Sequence, residues 1–266
     1  MATLYSQKKK STLPRLFIVF LVIIGVVLFI LFKEQNKATS LLSAHAPTAS
    51  SVPKPLALPW PPAPNGNTVL APNLLADNYY VVLDGSGSMG DSQCSGNKNK
   101  IETAKDALKE FAASVPADAN LGMLIFTDSQ IRELVPLGTG NRQQLTEQVQ
   151  SAYAAGGTPL RDAISTGYAR LEQQAVRQLG YGRYILVVVT DGQANPGQEP
   201  NEKVAWMLDN TPVELHTIGF CIGTDHALNM PGRTVYKAAD NPAALRQGLA
   251  DVLAEAETFD VATFQQ

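Results

Sequence analysis

Asp84, Ser86 and Ser88 are separated by single glycines and directly follow the run Tyr79-Tyr80-Val81-Val82-Leu83. That run is β-branched, aromatic and apolar, the composition of a buried strand. A helical pattern begins soon after it. One carboxylate and two hydroxyls therefore sit on a tight loop at the carboxyl end of a strand. Gly85 and Gly87 are expected to let the backbone fold sharply, so that the three side chains aim at one point. Hard oxygen ligands gathered in this way suit a small divalent cation such as Mg2+. Alone, the same residues also read as a strand-to-helix turn whose Asp and Ser satisfy orphan backbone donors.

Two distant segments add to this set. Gly156-Gly157-Thr158-Pro159-Leu160 is a flexible loop leading into a helix, with Pro159 suited to a first helical turn and Thr158 offering a third hydroxyl. Thr190-Asp191-Gly192 ends the run Tyr184-Ile185-Leu186-Val187-Val188-Val189, the most strand-like in the chain. Together these pieces resemble the metal-ion-dependent adhesion site of the von Willebrand factor A (vWA) family: Asp-x-Ser-x-Ser, then a Thr, then an Asp. The five positions match in order and context, and the resemblance extends from Asn78 to Glu257.

The resemblance implies that Ser86, Ser88 and Thr158 contact the metal directly or in alternation, with Asp84 and Asp191 often acting through water. Mg2+ is the expected ion, with Mn2+ and Ca2+ left open. An acidic side chain from a partner protein would complete the shell. Asp162, one turn beyond Thr158, reads either as an acceptor that holds the ligand loop or as an ordinary first-turn helix acid.

The family's fold is a doubly wound, mostly parallel six-stranded α/β sheet in the order 3-2-1-4-5-6, with strand three antiparallel and helices on both faces. The pattern of this chain agrees with it. Strands are expected at 79–83, 121–127, 131–137, 185–190, 213–220 and 234–237. Helices are expected at 101–114, 141–151, from 158, at 201–209 and from Pro242. Only Asp128-Ser129-Gln130 separates the second and third strands, which predicts a hairpin. In such a sheet ligands bind at the switch point between strands one and four, outside their carboxyl ends. Asp84 and Asp191 would meet there. The loops at 128–129, 193–200 and 221–233 lie at the same edge and would form the rim. Cys94 and Cys221 fall on loops of that edge about two strand spacings, ~10 Å, apart. In an oxidising compartment they are expected to form a disulfide.

Outside this region the chain changes character. Leu16 to Phe32 is an unbroken apolar run of the length of a short membrane span, preceded by Lys8, Lys9, Lys10 and Arg15. The positive-inside rule places the N-terminus (1–15) in the cytoplasm and the rest outside, making a single-pass membrane protein with an extracytoplasmic domain. A cleaved signal peptide is the rival reading. Residues 33–73 read as a Pro-rich tether, residues 74–257 as the vWA domain, and 258–266 as a tail. Trp60 could dock on the domain or on the membrane surface. Seven basic residues precede residue 60 against Glu34 alone, which leaves 14 basic and 23 acidic in the remainder. An acidic domain argues against nucleic-acid binding. No nucleophile has an evident base; His216 reads as a strand residue and His226 as a solvated loop residue. Binding therefore outranks catalysis, with a metal-independent scaffold and a metal-dependent hydrolase as the alternatives.

Overall fold

The computed structural model describes residues 59–254. The apolar run 16–32, the first part of the tether and the tail 258–266 lie outside the described residues. Among the described residues no helix is long and apolar enough to cross a membrane.

Six strands form one sheet: β1 (Asn78–Gly85), β2 (Asn120–Thr127), β3 (Gln130–Gly138), β4 (Tyr184–Thr190), β5 (Glu214–Phe220) and β6 (Val235–Ala239). Their order is β3-β2-β1-β4-β5-β6, and only β3 runs antiparallel to its neighbour. The helices are α1 (Lys100–Ser114), α2 (Arg142–Gln148), α3 (Leu160–Arg177), α4 (Asn201–Asn210) and α5 (Pro242–Ala254). The expected 141–151 helix divides into α2 and a 3-10 turn, Val149–Ser151. The β2–β3 connection tightens to two residues, Asp128 and Ser129, both at positive φ (53° and 59°). That is the backbone of a turn whose twist matches a right-twisted hairpin.

Side-chain alternation along β1 divides the interior. Tyr79, Val81 and Leu83 join the core beneath α1 and α5 with Ile101, Leu108, Phe111, Leu245 and Leu249. Tyr80 and Val82 join the opposite core with Ile164, Tyr168, Leu171 and Val188. Period-two parity then puts the next even residue, Asp84, on the α3 face at the end of the strand. In β4 the register pairs Val82 with Val188 and Leu83 with Val189. Thr190 thus continues beside Asp84 on that same face.

The end of the tether docks on the domain. Trp60 Nε1 donates to the Tyr168 hydroxyl at 3.1 Å, and its ring meets Tyr184 edge-on at 5.0 Å. Further along, Ala71 N–H donates to the Arg177 carbonyl at 2.8 Å. Residues 59–73, read from composition as part of the spacer, therefore lie against α3 and the amino end of β4. The site lies at the opposite end of the strands.

Candidate metal centre

After Ser86 the chain makes a 3-10 turn, Gly87–Gly90. Met89 is driven fully into the core, which leaves Ser88 facing outward. The 152–157 segment is strapped across this turn. Ala155 N–H donates to Gly85 O at 2.8 Å, Gly87 N–H to Gly156 O at 2.9 Å, and Asp128 N–H to Ala155 O at 2.7 Å. The glycines work differently from the expectation. Neither Gly85 nor Gly87 is left-handed. Gly85 is needed because a Cβ there would lie 2.7 Å from the Phe126 carbonyl oxygen. The left-handed residue is Gly156, at φ +76°.

The five residues singled out above come together. Ser86 and Ser88 hydroxyls are 3.1 Å apart. Ser88 Oγ donates to Asp191 Oδ1 at 2.7 Å. A Cβ placed on Gly192 would lie 3.6 Å from Ser88 Oγ and 3.9 Å from Thr158 Oγ1, so these two hydroxyls flank one point. Asp84 Oδ1 accepts from Ser86 N–H at 2.7 Å, and Oδ2 accepts from Thr190 Oγ1 at 2.6 Å. Asp84, Ser86, Thr158 and Asp191 are buried, whereas Ser88 is exposed. The group therefore has a buried floor and one side open to solvent.

The two carboxylates differ electrically. Asp84 is fully buried and its hydrogen bonds come from neutral donors. Desolvation pushes its pKa up to about 6 against the partial relief of the Ser86 and Thr190 hydrogen bonds. Asp191 has a cation: Lys100 Nζ donates to Oδ2 at 2.7 Å, with both side chains buried. No cluster of three His, Cys, Asp or Glu forms among the described residues. The donors are two carboxylates and three hydroxyls, a set suited to a hard, oxygen-seeking cation and unsuited to zinc. An uncompensated buried carboxylate near one open hydroxyl, Ser88, fits a divalent ion.

Several supporting residues escaped sequence reasoning. Asn195 holds Thr158 from both sides: its Oδ1 accepts from Thr158 N–H at 3.1 Å, and its N–H donates to Thr158 O at 3.0 Å. No spacing rule marks it. Lys100 is the first residue of α1, where a cation opposes the helix macrodipole and needs a carboxylate partner; with the helix expected from 101, the sequence did not show it. Asp162 lies away from the ligand set. Its Oδ2 accepts from Gln198 Nε2 at 2.9 Å, while its own N–H donates to Gln198 Oε1 at 3.2 Å. It ties α3 to the 193–200 rim loop.

His226 is a correction. It is 6% exposed rather than solvated. Leu228 N–H donates to its Nδ1 at 3.1 Å, which leaves the proton on Nε2 to donate to Gly192 O at 3.0 Å. Both ring nitrogens are thus engaged in holding the loop after Asp191. His216 is buried in β5, with Nε2 3.2 Å from Glu214 Oε2. Cys94 and Cys221 form the expected disulfide, with Cα atoms 5.9 Å apart. It joins the loop leaving the site to the end of β5.

Comparison with known proteins agrees with this architecture. The family model described as von Willebrand factor type A domain matches residues 78–265. Over 168 residues the chain is 28% identical to inter-alpha-trypsin inhibitor heavy chain H3 of Bos taurus, covering 59% of this chain and 17% of that protein. Over 157 residues it is 27% identical to the uncharacterized protein YwmD of Bacillus subtilis (strain 168), covering 54% of this chain and 67% of that one. Among solved structures, the vWF domain of the type V pili tip protein Mfa5 from Porphyromonas gingivalis aligns with a TM-score of 0.54 at 11% identity, covering 71% of this chain and 99% of that one. The pilus adhesin SpaC from Lactobacillus rhamnosus GG aligns with a TM-score of 0.53 at 14% identity, covering 71% and 31%. These structural likenesses speak to the fold. With two thirds of its length matched by the family model and the family's strand order in its sheet, the chain belongs to the von Willebrand factor type A domain family.

Proposed function

We propose that this chain is a membrane-anchored protein-binding module, used in adhesion or complex assembly, that captures its partner through Mg2+. The single observation that carries the reading is the convergence of Ser86, Ser88, Thr158, Asp84 and Asp191 from three loops at the switch point of the sheet, with Ser88 at the open side. Ser86, Ser88 and Thr158 would hold the ion, and Asp84 and Asp191 would supply its negative charge directly or through water. When bound, the ion supplies a Lewis-acidic position for an acidic side chain of the partner. Mn2+ and Ca2+ are the competing ions.

Binding is favoured over catalysis because both ring nitrogens of the histidine nearest the site, His226, already hold backbone groups. Two of the structurally similar proteins are a pilus tip protein, Mfa5, and a pilus adhesin, SpaC, which is in keeping with a capture role. The apolar run 16–32 would anchor the chain with the domain outside the cytoplasm, and the docked Trp60 lies at the end of the sheet opposite the site. The test is crosslinking capture from membranes with and without a chelator, using wild type and Asp84→Ala. Loss of the captured protein in both arms, with the fold intact, supports the reading. Capture unchanged by chelator and by the substitution would assign the chain to a metal-independent scaffold instead.

A further inference from the structure

Lys100 belongs neither to the metal motif nor to the rim, yet its ammonium is part of the site. It is 4% exposed and lies 2.7 Å from Asp191 Oδ2. The other oxygen of that carboxylate takes the Ser88 hydroxyl at 2.7 Å, and Ser88 meets Ser86 at 3.1 Å. Three contacts thus link the ammonium to the hydroxyls. A buried ion pair persists when its geometry is good and its remaining lone pairs are filled. Each Asp191 oxygen has a donor without a metal.

The charge count has a direct consequence. Asp84, Asp191 and Lys100 sum to −1. A divalent ion takes this set to +1, whereas without the lysine it would be neutral. We propose that Lys100 sets the specificity of the site: its fixed positive charge weakens the hold on the divalent ion and leaves the loaded site needing an anionic partner group. This inference rests on the metal-binding reading above. Its physical basis is repulsion between like charges in a poorly screened interior. Lys100 thereby trades metal affinity for selectivity toward carboxylates. A lysine serving only to brace Asp191 would do the opposite, because its loss would loosen a ligand and weaken metal binding.

The sign of the change in metal affinity decides between the two. Lys100→Gln keeps an N–H donor for Asp191 and removes the charge; Lys100→Met is a second neutral variant, and Lys100→Arg keeps the charge. Mg2+ is titrated calorimetrically into the full chain, with folding checked by circular dichroism. The neutral variants should bind Mg2+ about tenfold tighter than wild type, and Lys100→Arg should stay within about threefold. With Mn2+ loaded and acetate as the carboxylate probe, water-proton relaxation should show acetate binding weakened by at least about threefold in Lys100→Gln. Unchanged or weaker Mg2+ binding in the folded neutral variants overturns the inference while leaving the metal site standing. A wild-type chain that takes up no Mg2+ removes both.

Discussion

At the amino ends of the strands the buried carboxamides of Gln178 and Asn78 are neutral groups met by neutral partners; at the carboxyl ends a buried carboxylate, Asp84, is met by neutral donors. At the first pole Gln178 is fully buried, and its Nε2 faces the carbonyls of Leu74, Ala76 and Tyr181 at 2.9, 2.9 and 3.0 Å. Asn78 Nδ2 donates to the Ala76 and Arg183 carbonyls, and Asn78 Oδ1 accepts from Asn120. Trp60 closes the same region over Tyr168 and Tyr184. At the second pole a fully buried carboxylate, Asp84, has only neutral donors, and an exposed hydroxyl leads out from it. Satisfied burial stabilises a fold, whereas an uncompensated charge is tolerated where a ligand completes it. The sheet thus keeps its buried carboxamides and its buried carboxylates at opposite ends.

Lesions at the two poles should behave differently, and four expectations sharpen the contrast. The largest effect is expected from Cys94→Ser with Cys221→Ser. The bridge spans 127 residues, and its loss should lower stability by about 3–4 kcal/mol, read by denaturant unfolding with and without reductant. Because Cys94 lies on the loop that follows Ser86 and Ser88, Mg2+ binding should weaken with it. Gln178→Leu should follow, at about 2–3 kcal/mol for carbonyls stripped of their donor. Calorimetry should find its Mg2+ affinity unchanged, and a loss there would break the separation of the poles.

Asp84→Asn should act in the reverse sense. In chelator at pH 7.5 it should stabilise the protein by about 1–3 kcal/mol while abolishing Mg2+ uptake. The native pKa of Asp84 is raised from 3.8 to about 6. Its contribution to metal-free stability is therefore full below pH 3.8 and is lost as pH rises through about 6. Unfolding curves from pH 4 to 8 should show wild type losing ground to the variant, and parallel curves would count against an uncompensated charge. The smallest effect belongs to His226. Burial lowers its pKa from 6.5, partly opposed by the Gly192 carbonyl. Its contribution is present above pH 6.5 and is lost as pH falls through the native value. His226→Gln should flatten that acid limb.

How much of this was legible depended on whether the signal was local. Asp84, Ser86 and Ser88 share a loop, Thr158 opens a helix after two glycines and Asp191 ends a strand-like run, so the family motif picked out five residues that the fold brings together. The alternation of strands and helices and the short hairpin foretold a mostly parallel sheet, and the family resemblance supplied its order. Lys100 was hidden because its partner, Asp191, is 91 positions away and reaches it only through the β1–β4 pairing. Beside Lys98 and Asn99 it reads as an ordinary polar helix start. Asn195 is equally silent, since its contact with Thr158 depends on how two loops lean together. Gly85 was legible as a requirement but misread in kind: the crowding comes from Phe126 on the neighbouring strand, which chain-local reasoning does not see. The docking of Trp60 likewise depended on aromatic rings contributed by α3 and β4.

The most direct measurement is calorimetric titration of Mg2+ into the wild-type chain and into Ser86→Ala with Ser88→Ala, both shown to be folded. A single saturable site in wild type that disappears in the double variant is the predicted result. Equal Mg2+ uptake by both proteins, or none by wild type, would contradict a metal centre built on those hydroxyls.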